Sequence, residues 1–217
     1  PMGILFLGIN PEYVRPHFEK IDVPCVFVTN PAADFGYANL SSVCTDDEAA
    51  ARFAVEHLLS LGHKNIGILG GKTSISQAAF SRFKGCCKAF ECHGMEFDPD
   101  TQYENTYFGI EEGYYAMERL FNKMPQITAV FAMADVIAIG AIRAIKDRGL
   151  EVPKDISVIG FDGIDIGNYM CPRLTTIRQH REGIASKSVD ILLKCIDGET
   201  SSVYEVEPFY LIPGESV

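Results

Sequence analysis

The sequence contains no apolar run of the roughly 20 residues that a membrane-spanning helix needs. Its first residues, PMGILFLGINPE, lack the basic region that begins a secretory signal. Basic residues are scarce as well, because 19 Lys and Arg face 29 Asp and Glu and the net charge is −10. DNA binding depends on neutralising phosphates, so we expect no broad nucleic-acid contact by this chain alone. With 47% hydrophobic and 22% charged residues, a globular fold is expected.

Paired cysteines are also lacking. The seven cysteines are an odd number, no CxxC pair occurs, and most lie in apolar segments. This usage favours a reducing, cytoplasmic compartment. Cys86, Cys87, Cys92 and His93 could be interpreted as metal ligands. Structural zinc sites usually contain a CxxC-like pair, so we expect a structural role for these residues and no metal site.

The common catalytic motifs are absent. The sequence has no G-x-x-x-x-G-K-[ST], no G-x-G-x-x-G after a predicted strand and no G-x-S-x-G. His57 and His63 are six residues apart, which is not a metal-binding spacing on one helix. We therefore expect a binding protein without catalytic residues or a cofactor. An enzyme that uses Asp162 or Asp135 as an acid or base stays as an alternative.

What the sequence does contain is a regular alternation of short apolar runs and helical patterns. Predicted strands cover residues 3–7, 25–29, 65–69, 103–108, 129–132, 157–161, 174–179 and 204–212. Predicted helices cover residues 13–20, 46–61, 80–93, 113–122, 136–148 and 183–196. This order predicts an α/β fold with parallel sheets, in which ligands bind beyond the carboxyl ends of the strands. Polar residues follow three of these strands, at Asn30, Asp135 and Asp162.

Five segments stand in order along most of the chain: HLLSLGHKNI (57–66), RFKG (82–85), AMADVIAIGA (132–141), GLEVPKDISVIGFD (149–162) and PRLTTIRQ (172–179). Together they resemble the effector-binding domain of the LacI/GalR family of transcriptional regulators. Periplasmic sugar-binding proteins share that fold, but the VPKD and LTT segments are more similar to the regulators.

The resemblance implies a type I periplasmic-binding-protein-like fold of two α/β subdomains, which are joined by three crossovers and hold the effector in the cleft between them. By this resemblance, residues 1–45 and 173–200 form the first subdomain, and residues 46–172 and 201–217 form the second. The family's helix-turn-helix domain, its hinge helix and about its first two βα units have no counterpart here. We therefore expect the first subdomain to be incomplete.

The resemblance also implies the ligand contacts. The family uses the aspartate that matches Asp162 and the arginine that matches Arg82, and it often has an aromatic residue at Phe108 and a variable contact at Asn30. Asp135 matches a further family aspartate, and helix N-capping explains it equally well. The structural alternatives are a capping role for Asp162, an exposed helix charge at Arg82, a core ring at Phe108 and a turn residue at Asn30.

The predicted function is that of a ligand-sensing domain of a LacI-type regulator. Its effector would be a carbohydrate or sugar phosphate, and operator DNA would be bound only through a helix-turn-helix domain. The protein would be a cytoplasmic homodimer. The alternative is a solute-binding protein for sugar uptake. Ala134 and Thr45 replace polar residues that are common in the family, so the pattern does not name the effector.

Overall fold

A computed structural model describes all 217 residues, which form two compact units. Unit 1 comprises Pro1–Asp46 and Gln179–Phe209, and unit 2 comprises Asp47–Arg178 and Tyr210–Val217. The strands are β1 (Ile4–Leu7), β2 (Cys25–Val28), β3 (Leu40–Thr45), β4 (Ile66–Gly70), β5 (Tyr103–Asn105), β6 (Ala129–Ala132), β7 (Ser157–Asp162), β8 (Thr175–Gln179), β9 (Tyr204–Glu207) and β10 (Phe209–Ile212). The α-helices are α1 (Pro11–Val14), α2 (Asp47–Ser60), α3 (Gln77–Cys92), α4 (Pro99–Gln102), α5 (Ile110–Lys123), α6 (Asp135–Asp147) and α7 (Arg181–Ile196). Short 3₁₀ helices cover Arg15–Lys20, Ala33–Phe35 and Asp165–Tyr169.

Unit 1 is built on a four-stranded parallel sheet in the order β1-β2-β3-β9. Successive side chains of a strand point to opposite faces, and β2 shows this clearly. Cys25 and Phe27 belong to one apolar cluster, whereas Val26 and Val28 belong to another that includes Ile184 of α7. Because both faces of β2 are covered, its run of four apolar residues is entirely buried.

Unit 2 contains a six-stranded sheet in the order β10-β8-β7-β6-β4-β5. The pairs β4–β5, β4–β6, β6–β7 and β7–β8 are parallel. Helices α5 and α6 pack against each other and share one large apolar cluster with β4, β6 and β7. Helices α2 and α3 form the second closely packed pair. The predicted α/β class with parallel sheets is confirmed.

Strand β3 was not predicted, because Ser41 and Ser42 interrupt its apolar pattern. All six residues of this strand are nevertheless buried. The Ser41 hydroxyl accepts a hydrogen bond from the Val203 amide at 3.0 Å, and the Ser42 hydroxyl accepts one from the Ala32 amide at 3.1 Å. Two buried hydroxyl groups are tolerated in this strand because each has a backbone partner.

The single terminal strand predicted over residues 204–212 is two strands in different sheets. Strand β9 pairs with β3 in unit 1, whereas β10 lies beside β8 in unit 2. Pro208 separates them, and a proline has no amide hydrogen to continue a ladder.

Two of the expected subdomain boundaries differ by several residues from the observed ones, and the third differs by one, since Asp46 lies in unit 1. Residues 173–178 were expected in the first subdomain, but β8 pairs with β7 and so lies in unit 2. Residues 201–209 were expected in the second subdomain, but β9 pairs with β3 and lies in unit 1. Strand pairing decides both assignments, and a single sequence does not display it.

None of the helices combines the length and the apolar character that crossing a membrane requires. The seven cysteines are free thiols, and Cys86 and Cys25 are buried. No three potential metal-ligating side chains come together.

Candidate functional site

The carboxyl edge of the six-stranded sheet of unit 2 contains a point where the connections change direction. From β4 the chain continues to β5 on one side, and β6 then lies on the other side of β4. Ligands of parallel α/β sheets bind at such points. Four of the five predicted site residues lie in the segments at this edge, namely Arg82, Phe108, Asp135 and Asp162. The fifth, Asn30, lies in unit 1.

Arg82 of α3 is buried, with 8% of its side chain exposed, so it is not an exposed helix charge. Its Nε donates to Asp47 Oδ1 at 2.8 Å, and its Nη1 donates to the backbone carbonyl of Met133. The guanidinium carbon lies 3.7 Å from the centroid of the Phe161 ring, a cation–π arrangement. These contacts fix the guanidinium at the end of β6.

Asp162 ends β7 with 32% of its side chain exposed and its Oδ1 3.9 Å from Nη2 of Arg82. Its φ of 108° lies in the region that side-chain-bearing residues rarely adopt. The following 3₁₀ helix has Ile164, not Asp162, at its N-cap, so capping does not explain the aspartate. A strained backbone at a strand end is typical of functional positions.

Asp135 is fully buried, with an exposure of 0%. Its Oδ1 accepts a hydrogen bond from the Thr176 hydroxyl at 2.6 Å, and its Oδ2 accepts one from the Ile164 amide at 2.7 Å. Burial raises the pKa of Asp135 to about 7, although these hydrogen bonds lower it, and the nearby charge of Asp162 also raises it. The N-cap of α6 is Ala134, which makes no side-chain cap. Asp135 is therefore neither an N-cap nor a surface contact.

Phe108 lies beyond the end of β5, since that strand stops at Asn105 and not at residue 108 as predicted. The residue is 48% exposed. One ring edge lies against the backbone of Gly71 just after β4, where a Cβ would stand only 2.8 Å from the ring. The ring is thus half free at the carboxyl edge and is not a plain core aromatic.

Asn30 follows β2 in unit 1 and is buried, with an exposure of 8%. Its side-chain amide donates to the backbone carbonyl of Ile9 at 3.0 Å and so links the segments that follow β1 and β2. Thr45, at the end of β3, is also buried, and its hydroxyl has no hydrogen-bond partner. The observed hydrogen bond of Asn30 is therefore one that holds two loops of unit 1 together.

Sequence reasoning missed Asp47 and Thr176. Asp47 lies in the acidic first turn of α2, and its carboxylate holds Arg82. Thr176 lies inside the PRLTTIRQ segment, and its hydroxyl donates to Asp135. For Asp47 the available signal was its place in the first turn of α2. No sequence signal marked Thr176, which is the second residue of β8.

The amino edge of the same sheet bears a groove of about 450 Å³, whose lining includes Leu150, Val152 and Pro172. None of the predicted ligand residues lines it.

Residues 55–217 match the family model described as a periplasmic binding protein-like domain. The chain belongs to the periplasmic binding protein-like domain family. It is 34% identical over 207 residues to the HTH-type transcriptional repressor PurR of Pasteurella multocida, a match that covers 93% of this chain and 60% of that protein. It is 35% identical to the HTH-type transcriptional regulator MalR of Clostridium butyricum, over 93% of this chain and 61% of that one. The chain thus spans about three fifths of these relatives.

Solved structures of this family have the same fold. A complex of the transcriptional regulator CelR with cellobiose superposes with a TM-score of 0.90 at 28% identity, covering 100% of this chain and 66% of that one. A LacI family regulator from Enterococcus faecium with bound ribose has a TM-score of 0.85 at 25% identity, covering 100% and 79%. The resemblance to LacI-type regulators and the predicted periplasmic-binding-protein-like fold are confirmed.

Proposed function

We propose that this domain binds a neutral carbohydrate effector at the carboxyl edge of the unit 2 sheet and senses it for a transcriptional regulator. The carrying observation is the Asp162 carboxylate, which is partly exposed and has its Oδ1 3.9 Å from the buried guanidinium of Arg82. The half-exposed ring of Phe108 lies at the same edge, beside the end of β4.

This arrangement suits the chemistry of a sugar. A carboxylate accepts charge-assisted hydrogen bonds from neighbouring hydroxyl groups, and an aromatic ring covers the apolar face of a pyranose. Arg82 stands between two carboxylates, those of Asp47 and Asp162. Its positive charge is therefore already balanced, which favours a neutral sugar over a sugar phosphate. Two structural relatives, at 28% and 25% identity, hold cellobiose and ribose.

The regulatory part of the proposal rests on the relatives. The two curated relatives above are HTH-type transcriptional regulators, which favours sensing over catalysis and over solute uptake. In the parent protein, operator DNA would be bound by a helix-turn-helix domain, and the regulator would act in the cytoplasm as a homodimer. Effector binding would shift a two-state equilibrium between forms that differ in effector affinity.

A ligand screen tests the proposal. We expect cellobiose, ribose or another neutral sugar to raise the melting temperature, since ligand that binds only the folded state stabilises it. Ribose 5-phosphate and nucleosides serve as the comparison. Asp162→Asn should abolish the shift, whereas Asp190→Asn, at an exposed position on α7, should preserve it. A shift with nucleosides but no neutral sugar, or an equal shift in Asp162→Asn, would contradict the proposal.

A further inference from the structure

The turn after β7 is held by a chain of buried hydrogen bonds. Asp162 and Gly163 have consecutive positive φ angles of 108° and 68°. The Gly163 amide donates to the Thr176 hydroxyl at 3.3 Å, and that hydroxyl donates to Asp135 Oδ1 at 2.6 Å. The Ile164 amide donates to Asp135 Oδ2 at 2.7 Å. One buried carboxylate therefore fixes the turn that carries Asp162.

The surroundings of Asp135 are shaped for this contact. A Cβ at residue 160 would stand 2.2 Å from Asp135 Oδ1, so only the glycine present there leaves room for the carboxylate. Both carboxylate oxygens are used inside the protein, and the residue has no exposed surface. A ligand at the carboxyl edge is thus out of its reach.

We propose that Asp135 is a positioning residue of the effector site: it never touches the effector, and its negative charge tightens the turn that carries Asp162. This inference rests on the proposed function for its effect on affinity, but its effect on the turn is independent of any ligand. It assigns to Asp135 a role different from the ligand contact expected from the sequence.

The charge of Asp135 changes near neutral pH, since its pKa is raised to about 7. Asp162 is the charged group that acts on Asp135, and it raises that pKa. The charged groups on the neighbouring segments bind elsewhere: Arg82 donates to the Met133 carbonyl, and Arg178 Nη2 donates to the Gly163 carbonyl at 3.5 Å. Above the pKa, the carboxylate accepts charge-assisted hydrogen bonds from Thr176 and Ile164. Below it the carboxyl is neutral, and these bonds are weaker. The turn should therefore loosen as the pH falls through about 7.

Amide hydrogen exchange measured by NMR tests the turn without any ligand. After correction for the intrinsic rate, protection of the Ile164 amide should rise about fivefold between pH 6 and pH 8, the gain expected when a hydrogen bond becomes charge-assisted. The Thr106 amide, which donates to the Gly70 carbonyl at 2.7 Å, is the control and should not change. In Asp135→Asn the rise at Ile164 should vanish. Equal pH profiles in the wild type and Asp135→Asn would overturn the inference.

Calorimetry with cellobiose tests the link to the site. The affinity of the wild type should be about fivefold higher at pH 8 than at pH 6, and Asp135→Asn should show no such difference. Thr176→Val removes the hydroxyl that links the Gly163 amide to Asp135. This variant should also lower the affinity at pH 8. An affinity that is independent of pH in the wild type, or unchanged by Thr176→Val, would overturn the positioning role. If cellobiose does not bind at all, the proposed function fails for that sugar, and the exchange experiment still decides the inference.

Discussion

Replacing Asp162 with glycine and with alanine separates the two properties of this residue, its strained backbone and its carboxylate. Both variants remove the acceptor from the carboxyl edge. Only glycine adopts a φ of 108° without strain. Strain at such a position costs about 1–3 kcal/mol, and the greater freedom of glycine in the unfolded chain offsets about 0.5–1 kcal/mol of the gain. Asp162→Gly should therefore be more stable than Asp162→Ala by about 1 kcal/mol.

The expected difference is measurable by scanning calorimetry. For a protein of this size, 1 kcal/mol corresponds to about 2–4 °C in melting temperature. Titration calorimetry with a neutral sugar found in the ligand screen should show an equal loss of affinity in the two variants, because both lose the carboxylate. Loss of a hydrogen bond to a charged group costs about 1.5–3 kcal/mol, which is roughly a ten- to hundredfold loss in affinity. Asp190→Ala, at an exposed position, is the control for removing an aspartate.

Two results would refute this reasoning. If the alanine variant equals or exceeds the glycine variant in stability, the backbone of Asp162 is not strained in solution. If both variants bind the sugar as the wild type does, the carboxylate is not a ligand group. A fall in stability with unchanged binding would assign Asp162 a structural role only.

Three further predictions concern neighbouring interactions. Arg82→Ala removes the ion-pair partner of the buried Asp47 carboxylate and should destabilise unit 2 by about 3–5 kcal/mol in a urea titration. Gly160→Ala places a Cβ 2.2 Å from Asp135 Oδ1 and should cost about 1–3 kcal/mol by the same assay; an unchanged midpoint would show that the carboxylate moves freely. In unit 1, hydrogen bonds from Lys187 and then from His180 hold the pKa of Glu207 below its usual 4.5. A lowered pKa contributes stability at pH values above the unfolded-state pKa, and this stability is lost as the pH falls through the folded-state pKa. In Glu207→Gln, the free energy of unfolding should therefore fall less steeply with pH below about pH 4.5.

Most of the fold could be predicted from the sequence because its strands and helices have strong periodic patterns. The prediction for β6 agrees with the structure at both ends, and α6 differs by one residue at each end. The predictions fail where a buried strand contains polar residues, or where strand pairing decides which sheet a segment joins. Strand β3 contains Ser41 and Ser42, whose backbone partners come from distant segments. No local pattern reveals such partners.

The candidate site could be located from the sequence, but its internal contacts could not. Residues at the ends of parallel strands meet at one edge, and Asp162 and Asp135 were found in this way. The partner of Arg82 was not found, because Asp47 is 35 residues away in the chain and is one of several acids near the start of α2. Ion pairs between helices depend on how α2 and α3 pack.

Asp135 and Asp162 show why chemistry at a strand end is decided by burial. In the sequence both are aspartates that follow an apolar strand, so both suggested a ligand contact. In the structure Asp135 has no exposed surface, whereas about a third of the Asp162 side chain is exposed. Burial raises the pKa of Asp135 to about 7. Only the exposed carboxylate is accessible to an effector, and the buried one acts on the turn that carries it. Two carboxylates of the same type can therefore divide recognition and positioning between them.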